Sequence, residues 1–257
     1  MEPPSPSSSR RSVRLFAAAI AALLALGALV GVLTRGSGAP QPASKTGSTA
    51  GATDTTLPLG KALPGTLATL MGLTSLQDRL APGIALVDQH GREVSLSALR
   101  GKVVLLTFLD AGCTGICPVE SAELRAGERD LGAKAADVDV LVVNLDGVHL
   151  SVTDMVRLAR AMGLGGRTTF HALSGPLAAL RTVWAAYGVQ VQVDEVHGTV
   201  LYEPLIVLVD PSGHERYGAT PSAFELATGR YVLPASQIAA FGQGIAHFAA
   251  SLLPSSA

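Results

Sequence analysis

Cysteine is scarce in this chain: two residues in 257, at positions 113 and 117. That excludes the disulfide framework of a small stapled module, and it excludes a closed four-cysteine zinc site. Charge is sparse as well. Asp, Glu, Lys and Arg make up 15% of the residues, the formal net charge is −1, and no Lys/Arg block is long enough to track phosphates. Nucleic acid is therefore a poor partner for it. No internal repeat is apparent. What the chain does have is apolar bulk: 48% of it is hydrophobic, enough for one sizeable core but hardly for two full domains. Many of the 28 Gly and 15 Pro fall in the first eighty residues, which read differently from the rest.

Leu15 to Thr34 carries no ionisable side chain. At about 1.5 Å per residue such a run spans a hydrocarbon core of roughly 30 Å. Arg10, Arg11 and Arg14 crowd its amino-terminal side, against Arg35 alone beyond it. This asymmetry predicts a cytoplasmic segment over 1–14, a single-pass membrane anchor over 15–34, and an exported remainder on the periplasmic or cell-surface side. A cleaved signal peptide is the rival reading, since Ser9-Arg10-Arg11 resembles part of a twin-arginine signal. Residues 35–75, rich in Gly, Ala, Ser, Thr and Pro, read as a flexible tether. The folded domain is expected over 76–254.

Within that domain strand-like and helix-like signals alternate. Ile84–Val87 and Glu93–Leu96 flank a turn at Asp88-Gln89-His90-Gly91, a hairpin signal. Lys102–Leu109 and Val138–Leu145 are continuous apolar runs of buried-strand length. Pro118–Leu131, Ser151–Met162 and Pro176–Tyr187 read as helices, the second opened by a Ser151/Asp154 capping box and closed by Gly163, the third closed by Gly188. Leu205–Val209 leads into an Asp210-Pro211-Ser212-Gly213 turn, and Ser236–Leu253 is a closing amphipathic helix. This order predicts an α/β layer fold.

The cysteines follow the first buried strand directly, in Ala111-Gly112-Cys113-Thr114-Gly115-Ile116-Cys117-Pro118. Ligands gather at the carboxyl ends of strands in such sheets. A helix start favours thiolate over thiol through its free N–H groups and dipole. Thiolates attack disulfides and bind soft metals. Three intervening residues, rather than the two of a common dithiol oxidoreductase, still permit a disulfide and also let two sulfurs face one ion. Two thiolates and an imidazole would suit copper, particularly Cu(I). A small stabilising disulfide is the plain alternative, although so short a loop gains little entropy.

The stretch from Ala81 to Leu131 with its CxxxCP motif resembles the Sco/SenC copper-chaperone family, as do Phe170–Gly175 and Leu180–Val189; the likeness covers roughly 76–253. It implies a thioredoxin-like fold, a central mixed sheet flanked by helices. It further implies copper held by Cys113, Cys117 and a histidine, and a partner in the copper centre of cytochrome c oxidase or another copper recipient. A thiol reductant would serve the cysteines. For the histidine, His197 has the family's flavour, but five residues, Glu203 to Val207, then appear to be extra. If spacing to Gly213 is kept instead, Tyr202 occupies the ligand position and Pro204 falls where thioredoxins carry a cis-proline. Asp146 matches an acidic family position. His149 could substitute as ligand, with a solvated loop residue the blander reading; His171 reads as packing, as does Trp184. Asp110 stands where a carboxylate would raise the thiol pKa values, with a solvated loop acid the safer reading. The rival function is an enzyme: a thiol–disulfide oxidoreductase or peroxide reductase using the Cys113/Cys117 pair without metal. A third reading is a non-catalytic redox sensor.

Overall fold

The computed structural model describes residues 61–62, 65–113, 115–194, 199–227 and 231–254. The expected anchor at 15–34 and most of the expected tether lie outside them. Among the described residues no helix is long and apolar enough to cross a membrane.

In chain order the elements are β1 (Lys61–Ala62), α1 (Thr66–Leu70), β2 (Thr74–Leu80), β3 (Ala85–Val87), β4 (Glu93–Ser95), β5 (Val103–Leu109), α2 (Cys117–Leu131), β6 (Val138–Asn144), α3 (Val152–Ala161) and β7 (Phe170–Leu173). Then come α4 (Leu177–Ala186), β8 (Gln192–Asp194), β9 (Thr199–Leu201), β10 (Ile206–Val209), β11 (His214–Ala219), β12 (Phe224–Glu225), β13 (Tyr231–Val232) and α5 (Ala235–Leu252). Seven strands form one mixed sheet in the order β1-β2-β11-β10-β5-β6-β7. Strands β5, β6 and β7 run parallel, while β10 lies antiparallel to β5 on its other side.

The strand β5 is buried along its whole length, yet its side chains divide by parity. Val103, Leu105 and Leu109 join the core beneath α2, α3 and α5, with Leu124, Met155, Phe241 and Ile245. Val104, Leu106 and Phe108 join the opposite core, with Leu86, Val94, Leu180, Trp184 and Tyr187 from the β3–β4 hairpin, α4 and its end. A period of two with both faces covered explains why a central strand reads as an unbroken apolar run. Each fully buried aliphatic side chain contributes about 1.5–3 kcal/mol.

The local signals act as expected. Ser151 caps α3 and completes the capping box with Asp154. Gly163 and Gly188 take the left-handed backbone, at φ +69° and +68°, that ends α3 and α4. The hairpin pairs Leu86 with Val94. The folded part starts earlier than residue 76, however. Helix α1 and the turn after it bury Ala68, Met71 and Leu73 in the first core, and β2 begins at Thr74. A few apolar side chains at the right spacing dock a segment whose composition alone reads as tether.

Candidate functional site

Strand β5 delivers the chain to the carboxyl edge of the sheet at Asp110, and α2 begins seven residues later at Cys117. Across this turn Cys113 and Cys117 are joined in a disulfide, with Cα atoms 6.0 Å apart. Cys117 is buried in the first turn of α2, ahead of Pro118, while Cys113 is half-buried in the loop. The helix has no side-chain cap, so the positive end of a 15-residue dipole is left facing the sulfurs.

Ala111 and Cys113 pack against the first core, and polar groups fix the loop's course. The Gly112 N–H donates to Asp110 Oδ1 at 2.7 Å, and the Cys113 N–H donates to the Asp110 carbonyl at 3.1 Å. The Ala111 N–H donates to the side-chain oxygen of Asn144, which also accepts from the Asp146 N–H at 2.9 Å. The Asn144 amide donates to the His149 carbonyl at 2.8 Å, and its own carbonyl accepts from the Trp184 indole at 3.0 Å. One fully buried amide thus ties the cysteine loop to the loop after β6.

That second loop presents His149 beside Gly112. The histidine ring bonds through Nδ1 to Asp146, and a Cβ placed on Gly112 would lie 3.7 Å from that nitrogen and 3.4 Å from Asp146 Oδ2. The Asp146 hydrogen bond, then its charge, raises the His149 pKa. Burial pushes the Asp146 carboxyl up, but bonds from the Val148 and His149 N–H groups and from the His149 ring outweigh it and leave the pKa lowered. Asp110 goes the other way: burial, aided by the Asp146 charge, raises it.

On the far side of the disulfide stands Tyr202, from the segment between β9 and β10. Its hydroxyl lies 3.6 Å from Cys117 Sγ and donates to Glu120 Oε2 at 3.3 Å. Glu120 is buried in α2 and its Oε1 has no partner among the described residues; one helical turn on, Glu123 is fully buried with neither oxygen paired among them. Burial raises both carboxyls to about 8, with the Glu120 charge adding to the effect on Glu123. Tyr231 of β13 closes the spacer, its ring 3.4 Å from where a Gly115 Cβ would be.

Glu123 makes a sign-definite prediction. Unfolded, it ionises near the ordinary value of 4.5; folded, near about 8. Between these values the native state binds more protons, so stability falls as pH rises and levels off above about 8. Glu123→Gln is expected to match the wild type near pH 4.5 and to exceed it by roughly 2 kcal/mol or more at pH 8.5, read by urea unfolding at both. An equal gap at the two pH values would refute the assignment.

The structure therefore brings Cys113 and Cys117 together as expected and sets Tyr202 against them. His197 and Thr114 lie outside the described residues. His171 is buried against Asp88, a packing role as expected. Pro204 follows a trans peptide. Among the described residues no three His, Cys, Asp or Glu side chains are grouped closely enough to hold a metal ion. Sequence reasoning passed over Asn144, Glu120 and Glu123. The signals were present: a lone amide at the end of an apolar strand, and two acids on the apolar side of a helix.

Comparison with known proteins agrees with this geometry. The SCO1/SenC family model matches residues 74–220. A protein of Mycobacterium tuberculosis named as a peroxiredoxin is 32% identical over 108 residues, which are 42% of this chain and 62% of that relative. This chain thus spans less than two thirds of that relative's length. Among solved structures, apo Sco1 of Thermus thermophilus aligns with a TM-score of 0.53 at 25% identity, over 70% of this chain and 95% of that one. Bradyrhizobium japonicum ScoI with copper bound aligns at 0.52 and 21%, over 68% and 100%. A SCO1/SenC family lipoprotein of Bacillus anthracis aligns at 0.54 and 17%, over 70% and 98%. These likenesses establish the thioredoxin-like Sco fold.

Proposed function

The chain belongs to the SCO1/SenC family, and from that premise we propose that it is a copper-binding thioredoxin-like protein whose cargo is held by Cys113 and Cys117 once their disulfide is reduced. The observation that carries this reading is the placement of both sulfurs at one helix entrance, one of them half-buried in the loop. Two adjacent thiolates at the positive end of α2 form a soft donor pair suited to Cu(I). A disulfide offers no thiolate, so loading must follow reduction: an external thiol supplies two electrons, and each sulfur becomes a thiol that gives up its proton to bind metal.

In this reading His197 supplies the third donor. His149 is the other candidate imidazole, and its bond to Asp146 would fix its tautomer and orient the ring. The recipient is the copper centre of cytochrome c oxidase or another copper protein. The domain works outside the cytoplasm, tethered through residues 15–34. Family membership and the run of uncharged residues support these last points.

The test is titration of the full chain with Cu(I) in the presence of a competing chelator. Reduced protein is expected to take up one equivalent and oxidised protein none. Equal uptake by both forms would remove the cysteines from the site.

A second reading is favoured by one observation: among the described residues it is Tyr202 whose hydroxyl stands against Cys117. A tyrosine there leaves a redox pair that exchanges disulfides or reduces peroxide without metal. Metal-free protein would then turn over such substrates catalytically, and copper uptake by the reduced form would be lacking.

A further inference from the structure

The copper reading makes no use of the buried carboxyl beneath the disulfide. Glu120 touches Tyr202, and Tyr202 touches Cys117, so the three form a line from the core to the sulfur. Few side chains are less at home in a protein interior than an acid with an unpartnered oxygen, and Glu120 is 3% exposed with Oε1 unpaired among the described residues. Its position is informative because Cys117 is itself 5% exposed. When an external thiolate attacks the more accessible Cys113, the electron pair of the S–S bond goes to Cys117, and a bare thiolate there has little water to stabilise it.

We propose that Glu120, acting through the Tyr202 hydroxyl, supplies the proton taken up by Cys117 when the disulfide is reduced. The attacking thiolate forms a bond to Cys113 Sγ while the bond between Cys113 Sγ and Cys117 Sγ breaks. Cys117 Sγ takes the phenolic proton of Tyr202, and Tyr202 takes the carboxyl proton of Glu120. The products are a mixed disulfide on Cys113, a thiol at Cys117 and a carboxylate at Glu120, which regains its proton from solvent. A second thiol then resolves the mixed disulfide. The Tyr202 hydroxyl donates to Glu120 Oε2 when that carboxyl is ionised; when Glu120 is protonated the bond reverses, its O–H donating to the tyrosine oxygen and leaving the phenolic hydrogen free to point at the sulfur.

The electrostatics agree. Burial holds the Glu120 carboxyl neutral up to about 8, so it carries the needed proton at neutral pH. Among the described residues the titratable groups facing it are Tyr202 and Glu123; burial, then the Glu120 and Asp110 charges, raise the pKa of the Tyr202 phenol. Helix α5, packed along α2, carries no acid or base except the exposed His247. The step concerns the disulfide form, which holds no metal, so it stands whether or not copper is the cargo.

The experiment measures reduction of the metal-free full chain by dithiothreitol between pH 6 and 10, with alkylation quench, each rate divided by the thiolate fraction of the reductant. For the wild type the corrected rate is expected to be flat at low pH and to fall above about pH 8. Glu120→Gln and Tyr202→Phe are expected to be slower by roughly tenfold or more and to lose the fall. Glu123→Gln is expected to keep it. A fall that survives in Glu120→Gln or in Tyr202→Phe would overturn the proposal, as would its loss in Glu123→Gln alone. Failure of copper uptake would leave these profiles unchanged, so the two readings fail separately.

Discussion

Cys113→Ser or Cys117→Ser is expected to weaken Cu(I) binding by the reduced protein about a thousandfold, or roughly 4 kcal/mol. A serine hydroxyl stays protonated and is a hard donor, so each substitution removes one soft anionic ligand and leaves the other without its partner. The comparison is clean in reduced protein. There the wild type also lacks the disulfide, and loss of a short covalent loop, worth about 2 kcal/mol by the chain-entropy estimate, does not enter. The two variants need not be equal. Cys117 touches Tyr202 from a buried position, whereas Cys113 is half-buried in a loop held by Asp110. Cys117→Ser therefore also disturbs the polar line to Glu120. His149→Ala serves as a comparison: with His197 as third ligand it keeps wild-type affinity, and with His149 as ligand it loses at least tenfold. Chelator competition reads all three. Wild-type affinity in Cys113→Ser would end the two-sulfur site.

The elements that position this site were legible because each has a strong local cause. Strand β5 is a seven-residue apolar run, α3 has both halves of its capping box, and α4 ends on a glycine with positive φ. The short hairpins β8–β9 and β12–β13 were not legible: strands of two or three residues carry no period to count, and these two lack the apolar run leading into an Asp88-Gln89-His90-Gly91 turn that marked the equally short β3–β4. The choice between His197 and Tyr202 was not legible either, because it depends on where extra residues are accommodated. Among the described residues the Tyr202 hydroxyl lies 3.6 Å from Cys117 Sγ, and His197 lies outside those residues. Asn144 and Glu120 illustrate a further limit. Their roles arise from neighbours 33 and 82 positions away, Ala111 and Tyr202, and no local pattern marks such partners.

Gly242→Ala is expected to lower stability by about 2–3 kcal/mol, although alanine is the better helix former by up to about 1 kcal/mol. The sign follows from the crossing of α2 and α5. A Cβ on Gly242 would lie 2.4 Å from the Ala126 Cβ and 2.8 Å from the Ala126 carbonyl carbon and the Gly127 nitrogen. Two of these atoms are backbone, so no rotamer change relieves the clash and the helices must separate. Separation also lifts Phe241 and Ile245 out of the core they share with Leu124. Gly244→Ala is the informative contrast. Its Cβ would meet the Met71 sulfur at 2.2 Å, the flexible part of a side chain that can turn away. Its cost is expected to be smaller, within about 1 kcal/mol. Thermal or urea unfolding of the two variants distinguishes backbone contact from side-chain contact, and a Gly242→Ala protein more stable than the wild type would contradict the close crossing. The effect reaches the site through α2, because the helix that Gly242 allows to dock is the one whose first turn holds Cys117 and whose next residues hold Glu120. A displaced α2 is expected to slow disulfide reduction together with the loss of stability, whereas Gly244→Ala leaves the reduction rate unchanged.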